Sequence, residues 1–63
     1  MDVRIDYTNY QGKRSIRRII PRSIVFESNE YHPEKQWLLY AFDLEKQEFR
    51  NFAMKDIHSW NPV

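Results

Sequence analysis

Cysteine is absent from this 63-residue chain, and glycine occurs once. Without cysteine there is neither a disulfide nor a thiolate metal site to staple a small fold, and a reducing compartment is the simplest setting. A single glycine rules out a glycine-rich phosphate loop. No apolar run comes near the ~20 residues of a membrane-spanning helix. The opening Met1-Asp2-Val3-Arg4-Ile5-Asp6 lacks the basic start and apolar centre of a secretion signal, so a cytoplasmic location is expected. Net charge is almost absent too: ten Lys/Arg stand against nine Asp/Glu.

Aromatic residues are plentiful, ten in all. A chain this short buries only about 60% of the surface its unfolded form exposes. Large rings, each able to remove roughly 150–250 Å² from water, compensate for that. Charge is also unevenly spread. Lys13, Arg14, Arg17, Arg18 and Arg22 fall in one stretch without an acidic residue, whereas Glu27, Glu30 and Glu34 fall in another without Lys or Arg. A local basic stripe attracts phosphate even when the whole protein is neutral.

Along the chain, Val3, Ile5 and Tyr7 alternate with Arg4, Asp6 and Thr8, the period of a half-buried strand. Gly12 follows where a hairpin needs a residue tolerant of positive φ. Arg14–Ile20 reads as a second strand that Pro21 stops or bends, and Arg22–Glu27 as a third. Ser28–Lys35 is polar, contains Pro33, and reads as a solvated loop. Gln36–Asp43 forms a fourth strand that is apolar on both faces: Trp37, Leu39 and Ala41 on one, Leu38, Tyr40 and Phe42 on the other. Leu44–Gln47 makes a turn into a fifth strand, Glu48–Met54. Met54, Ile57 and Trp60 recur every three residues, which predicts a helical or 3-10 turn covering the sheet. The fold class expected is therefore all-β, one domain over residues 1–63: a small, strongly bent five-stranded SH3-like or Sm-like barrel with a short C-terminal helical turn. Curling hides one face of a sheet too small to pack against a second.

Order and spacing carry a resemblance. The stretches IDYTNYQGKRSIRRIIP and QWLLYAFD, followed by FRNFAMKDI, resemble the WYL domain, an Sm-like or SH3-like barrel found mostly in bacteria and phages. Tyr7, Gly12, Arg17 and Pro21 fit the first part of that family's pattern, Trp37, Leu39 and Ala41 the middle, and Arg50, Phe52 and Ile57 the end. Leu38 stands in place of the family Tyr, Ala53 in place of the second closing Arg, and Asp56 in place of a basic residue. The resemblance implies a non-catalytic regulatory module that binds an anionic ligand, nucleic acid or nucleotide-like, through arginine and aromatic side chains.

On that basis Arg17 and Arg50 are the candidate phosphate clamps, supported by Arg18 and Lys55, with Tyr7 or Tyr40 as the surface on which a base stacks. The ordinary alternative is that these arginines pair across strands with Asp6, Asp43, Glu48 or Asp56. Trp37 is expected in the core, with a stacking platform as the alternative, and Trp60 is expected to pack on the barrel from the terminal turn. His32 and His58 stand far apart without cysteine, which does not make a zinc site. No serine has the surroundings of a nucleophile. No cofactor and no metal are implied, and the enzymatic reading is set aside. A rival to ligand binding is a homo-oligomer or protein partner held by an edge strand or by the face bearing Leu38, Tyr40 and Phe42.

Overall fold

The computed structural model describes residues 1–63. Strand β1 (Val3–Thr8) buries Val3, Ile5 and Tyr7 and turns Arg4 outward. Gly12, at φ +82°, lets the chain reverse into β2. The turn is held by Asn9, whose Oδ1 accepts the backbone N–H groups of Gln11 and Lys13, both at 2.9 Å.

Strand β2 (Arg14–Glu27) is a single 14-residue strand, so the expected second and third strands are one element. Its first part pairs with β1, from Thr8↔Arg14 to Val3↔Ile19. From Ile19 onward it pairs with β3 (Gln36–Asp43), ending at Glu27↔Gln36. The register slips between Pro21 and Ser23, leaving Arg22 as the extra residue. Proline does not end the strand because the bulge falls at it. A bulge tolerates the missing N–H, bends the ribbon and increases its twist.

Strand β4 (Glu48–Ala53) pairs with β3, a 3-10 turn follows at Met54–Asp56, and β5 (Ile57–Pro62) returns antiparallel to β1. The tail beyond Asp56 is thus a strand rather than a helical segment, and it supplies the fifth strand. His58 is skipped in the β1–β5 register, between Asp6↔Ser59 and Tyr7↔Ile57.

The order β4-β3-β2-β1-β5 puts the two edge strands at opposite ends of the sheet, yet three residues join them. So short a connection requires the sheet to curl until its edges are neighbours. The expected strongly bent five-stranded barrel with a short helical turn is what forms. Inside it lie Val3, Ile5, Tyr7, Ile19, Leu39, Ala41 and Phe52, with Met54 and Ile57 packed against them. Tyr7 meets Phe52 edge to face, centroids 5.0 Å apart, and its hydroxyl accepts the Ala53 N–H at 3.2 Å.

Several large residues lie elsewhere than their pattern predicts. Trp37 shares the face of Leu39 but is 56% exposed, because β4 pairs with β3 only from Leu38 onward and gives Trp37 no neighbour. Trp60 stands exposed on edge strand β5. Leu38 is fully buried opposite Ala53, so the face it shares with Tyr40 and Phe42 is not open throughout. His32 is buried rather than solvated: Asn29 Oδ1 accepts the N–H groups of Tyr31 and His32 at 2.9 and 2.8 Å and folds the loop inward.

Candidate anion-binding site

Register decides where the arginines go. Ile19 lies opposite Asp43, so Arg17, two residues earlier on β2, projects from the same core-facing side. Arg50 lies opposite Ala41, two residues before Asp43, and projects from that side too. All three therefore meet at the closing end of the β3–β4 hairpin.

Asp43 is fully buried and is the hub. Arg17 reaches it with Nη2 at 2.8 and 3.0 Å and with Nε at 3.1 Å, and Arg50 reaches it with Nη1 at 3.0 Å. Its Oδ1 also accepts the backbone N–H groups of Glu45 and Lys46 at 3.0 and 3.1 Å. Burial alone would raise the Asp43 pKa. The Lys46 N–H and the two guanidinium groups outweigh it and hold the carboxyl below the ordinary value of 3.8. Convergence of Arg17 and Arg50 is real, and its focus is a carboxylate of the chain itself.

The two arginines differ in what remains free. Arg17 is largely enclosed and has Glu45 3.6 Å from its Nη1. Arg50 is more accessible, uses Nη1 on Asp43, stacks over the Phe52 ring at 5.2 Å, and borders a concavity of about 390 Å³. That concavity lies between the β1–β2 turn, the 28–35 loop and β4, and Tyr7, Tyr10, Tyr31, His32 and Lys46 also line it. Burial raises the Tyr7 hydroxyl pKa. Burial likewise lowers the pKa of His32, so its ring sits in the concavity wall as the neutral form at pH 7.

The other candidates lie apart. Arg18 pairs with Asp2 at 2.9 Å on the opposite face of the sheet from Arg17. Lys55 pairs with Asp56 at 3.1 Å beside a second hollow of about 430 Å³. Tyr40 stacks on Phe49, centroids 5.1 Å apart and planes 11° from parallel, on the face away from Leu39. Among the six candidates, Arg50 and Tyr7 thus share one concavity, with Arg17 behind Arg50. Lys46, Asn9, Asn29, Tyr10 and Tyr31 were not singled out from sequence as site residues. The asparagines leave a signal there, each standing two to four residues before the N–H groups that it caps.

No group of three or more His, Cys, Asp or Glu side chains is arranged to hold a metal ion, and no helix is long and apolar enough to cross a membrane. No curated protein and no solved structure matches the chain. The family model of the WYL domain does match, over residues 2–62. Domains of that family are in general regulatory and ligand-binding. With a match spanning nearly every residue of the bent barrel, the chain belongs to the WYL-domain family.

Proposed function

We propose that this chain is a non-catalytic module that binds an anionic ligand, nucleic acid or nucleotide-like, in an accessory or regulatory role. The observation that carries this reading is the position of Arg50. Its guanidinium is braced by Asp43 through one nitrogen and borders a concavity that Tyr7 and Lys46 also line. A guanidinium fixed by a buried carboxylate loses little side-chain freedom when it grips a phosphate. Arg17 acts on the ligand indirectly, by holding Asp43 in place. Lys55 lies at the adjoining hollow, where Asp56 neutralises it, and is not part of the clamp. The non-catalytic part rests on the family, whose domains are typically regulatory modules without catalysis. Thr8 Oγ1 and His58 Nε2 are 2.7 Å apart, but on an exposed part of the sheet, and Arg14 takes up the neighbouring Asp6.

The test is a salt series of fluorescence anisotropy with a short labelled single-stranded oligonucleotide. Binding at low salt, weakening with a negative log–log slope and lost in Arg50→Ala, is expected. No binding at low salt overturns the reading.

A second reading is favoured by a separate feature, the exposed cluster of Ile24, Phe26 and Trp37, in which the Phe26 and Trp37 rings meet at 5.2 Å. Such a patch suits a protein partner or a second copy. Sedimentation showing a stable dimer that Trp37→Ser dissociates would favour it, and a strict monomer would count against it.

A further inference from the structure

The second half of β2 has a neighbour on one side only. β1 accompanies β2 as far as Val3↔Ile19, and from there β2 is paired with β3 alone, ending at Glu27↔Gln36. None of the remaining backbone hydrogen bonds touches residues 22–27. Leu44 donates its N–H to the Arg18 carbonyl at 3.0 Å, so Arg18 and Ile20 face β3. The extra residue at the bulge shifts the alternation. Beyond it Ser23, Val25 and Glu27 face β3, while Ile24 and Phe26 turn their N–H and C=O groups to open space. Edges of this kind are ordinarily blunted by an internal charge, a proline or a bulge. In this chain Pro21 and the bulge come before the stretch, and Ser23-Ile24-Val25-Phe26 carries no charge.

Side chains reinforce the open backbone. Ile24 lies opposite Leu39 and Phe26 opposite Trp37, so Ile24, Phe26 and Trp37 share the core-facing side of the sheet. β1 and β4 stop short of them, and each is more than half exposed. Arg22 and Glu27 bracket the stretch, and neither takes part in an ion pair within the chain. Both point to the outer side. Arg22 stands over the Phe49 ring at 5.5 Å, and Glu27 alternates with the core-facing Phe26.

Opposite charges at the two ends specify the missing strand. A second copy laid antiparallel sets the Arg22 end of one against the Glu27 end of the other. With a two-fold axis at Val25, Ile24 falls opposite Phe26 of the second copy on the core-facing side. Ser23 falls opposite Glu27 of the second copy on the outer side, which brings Arg22 next to that carboxylate. Backbone, apolar and charged groups are then matched by one patch used twice.

We propose that two copies of this chain pair residues 22–27 of β2 antiparallel about a two-fold axis at Val25, joining their sheets edge to edge. Ile24 and Phe26 of each copy pack against those of the other, with Trp37 behind Phe26. This rests on the second reading above and adds to it the partner, the edge, the direction and the register.

The experiment is sedimentation equilibrium of the purified chain, combined with cysteine cross-linking. The parent is expected to dimerise reversibly. Glu27→Arg sets like charges together twice per dimer and should weaken it roughly ten-fold, whereas adding Arg22→Glu to that variant should bring affinity back to within about three-fold of the parent. Val25→Cys, in a chain with no other cysteine, faces its own symmetry mate at the ~4.5 Å Cα separation of a non-hydrogen-bonded pair, within disulfide reach. Oxidised glutathione should convert it to a covalent dimer. Ile16→Cys, exposed on the half of β2 that β1 accompanies, should not cross-link. A dimer that Trp37→Ser dissociates, but that tolerates Glu27→Arg and leaves Val25→Cys uncross-linked, overturns this inference while the second reading survives. A strict monomer at every concentration overturns both.

Discussion

Arg17 grips Asp43 through both carboxylate oxygens, with contacts of 2.8–3.1 Å, across 26 residues of sequence. The contact ties the outer half of the β1–β2 hairpin to the turn after β3. It also determines which arginine remains available to a ligand. A carboxylate with no solvent exposure is tolerable only because two guanidinium groups and two backbone N–H groups surround it.

Asp43→Ala should therefore be among the most damaging single substitutions. It leaves Arg50 without its ion-pair partner and Arg17 with only the more distant Glu45, and it uncaps the Leu44–Gln47 turn. Removing one partner of a buried ion pair costs about 3–5 kcal/mol. Total stability for a chain of this length is on the order of 3–9 kcal/mol. Urea denaturation of the variant is expected to start from a partly unfolded baseline. A midpoint within error of the parent would show that Asp43 is not the hub described.

Arg17 and Arg50 should separate in their effects. Arg17→Met removes three charged hydrogen-bond contacts and is expected to lower stability by about 2–3 kcal/mol, with oligonucleotide affinity changed little once folding is accounted for. Arg50→Met removes one such contact, costs about 1–2 kcal/mol, and should abolish binding. Denaturation curves and anisotropy on the same two proteins check this. Equal loss of affinity in both would mean that Arg17, too, contacts the ligand.

Tyr7→Phe isolates one hydrogen bond. The ring keeps its edge-to-face contact with Phe52, whereas the Ala53 N–H loses its acceptor at the point where β4 runs into the 3-10 turn. A buried donor left unsatisfied costs about 1–3 kcal/mol. The thermal midpoint should drop by several degrees, and amide exchange at Ala53 should accelerate more than elsewhere. Unchanged exchange at Ala53 would remove the bond from the account of barrel closure.

The sequence made β1 and β3 legible because their patterns are local. Val3, Ile5 and Tyr7 alternate cleanly, and the bounds Gln36–Asp43 are those observed. Pairing of Arg17 and Arg50 with Asp43 was among the alternatives that residue types alone allowed. What stayed hidden depends on neighbours. Pro21 reads as a stop, and only the switch of partner from β1 to β3 around it reveals a bulge within one strand. The threefold spacing of Met54, Ile57 and Trp60 spans a 3-10 turn and the strand after it, so it reflects no single helix. Trp37 is apolar and sits on the core-facing side, yet β4 ends short of it. The concavity was illegible for the same reason: its walls are two polar turns, and their composition does not say that they meet.

His32 gives the fold a pH dependence of calculable sign. Burial is the main influence on its ring and lowers its pKa from the ordinary value of 6.5. Asp56 nearby acts in the opposite direction and Lys55 in the same one. The unfolded chain, whose histidine titrates near 6.5, takes up the proton first as pH falls. Stability from the neutral, buried ring is complete above about 6.5 and is lost progressively as pH drops through 6.5 toward the lower folded value. Asp43 responds in a separate window. Its folded pKa lies below 3.8, so its contribution holds until pH falls under that value. Between about pH 6.5 and 5 the urea midpoint of the parent should thus decline, and that of His32→Gln should decline distinctly less. If the variant follows the parent across that interval, the 28–35 loop does not bury a neutral histidine and the wall that it forms is misplaced.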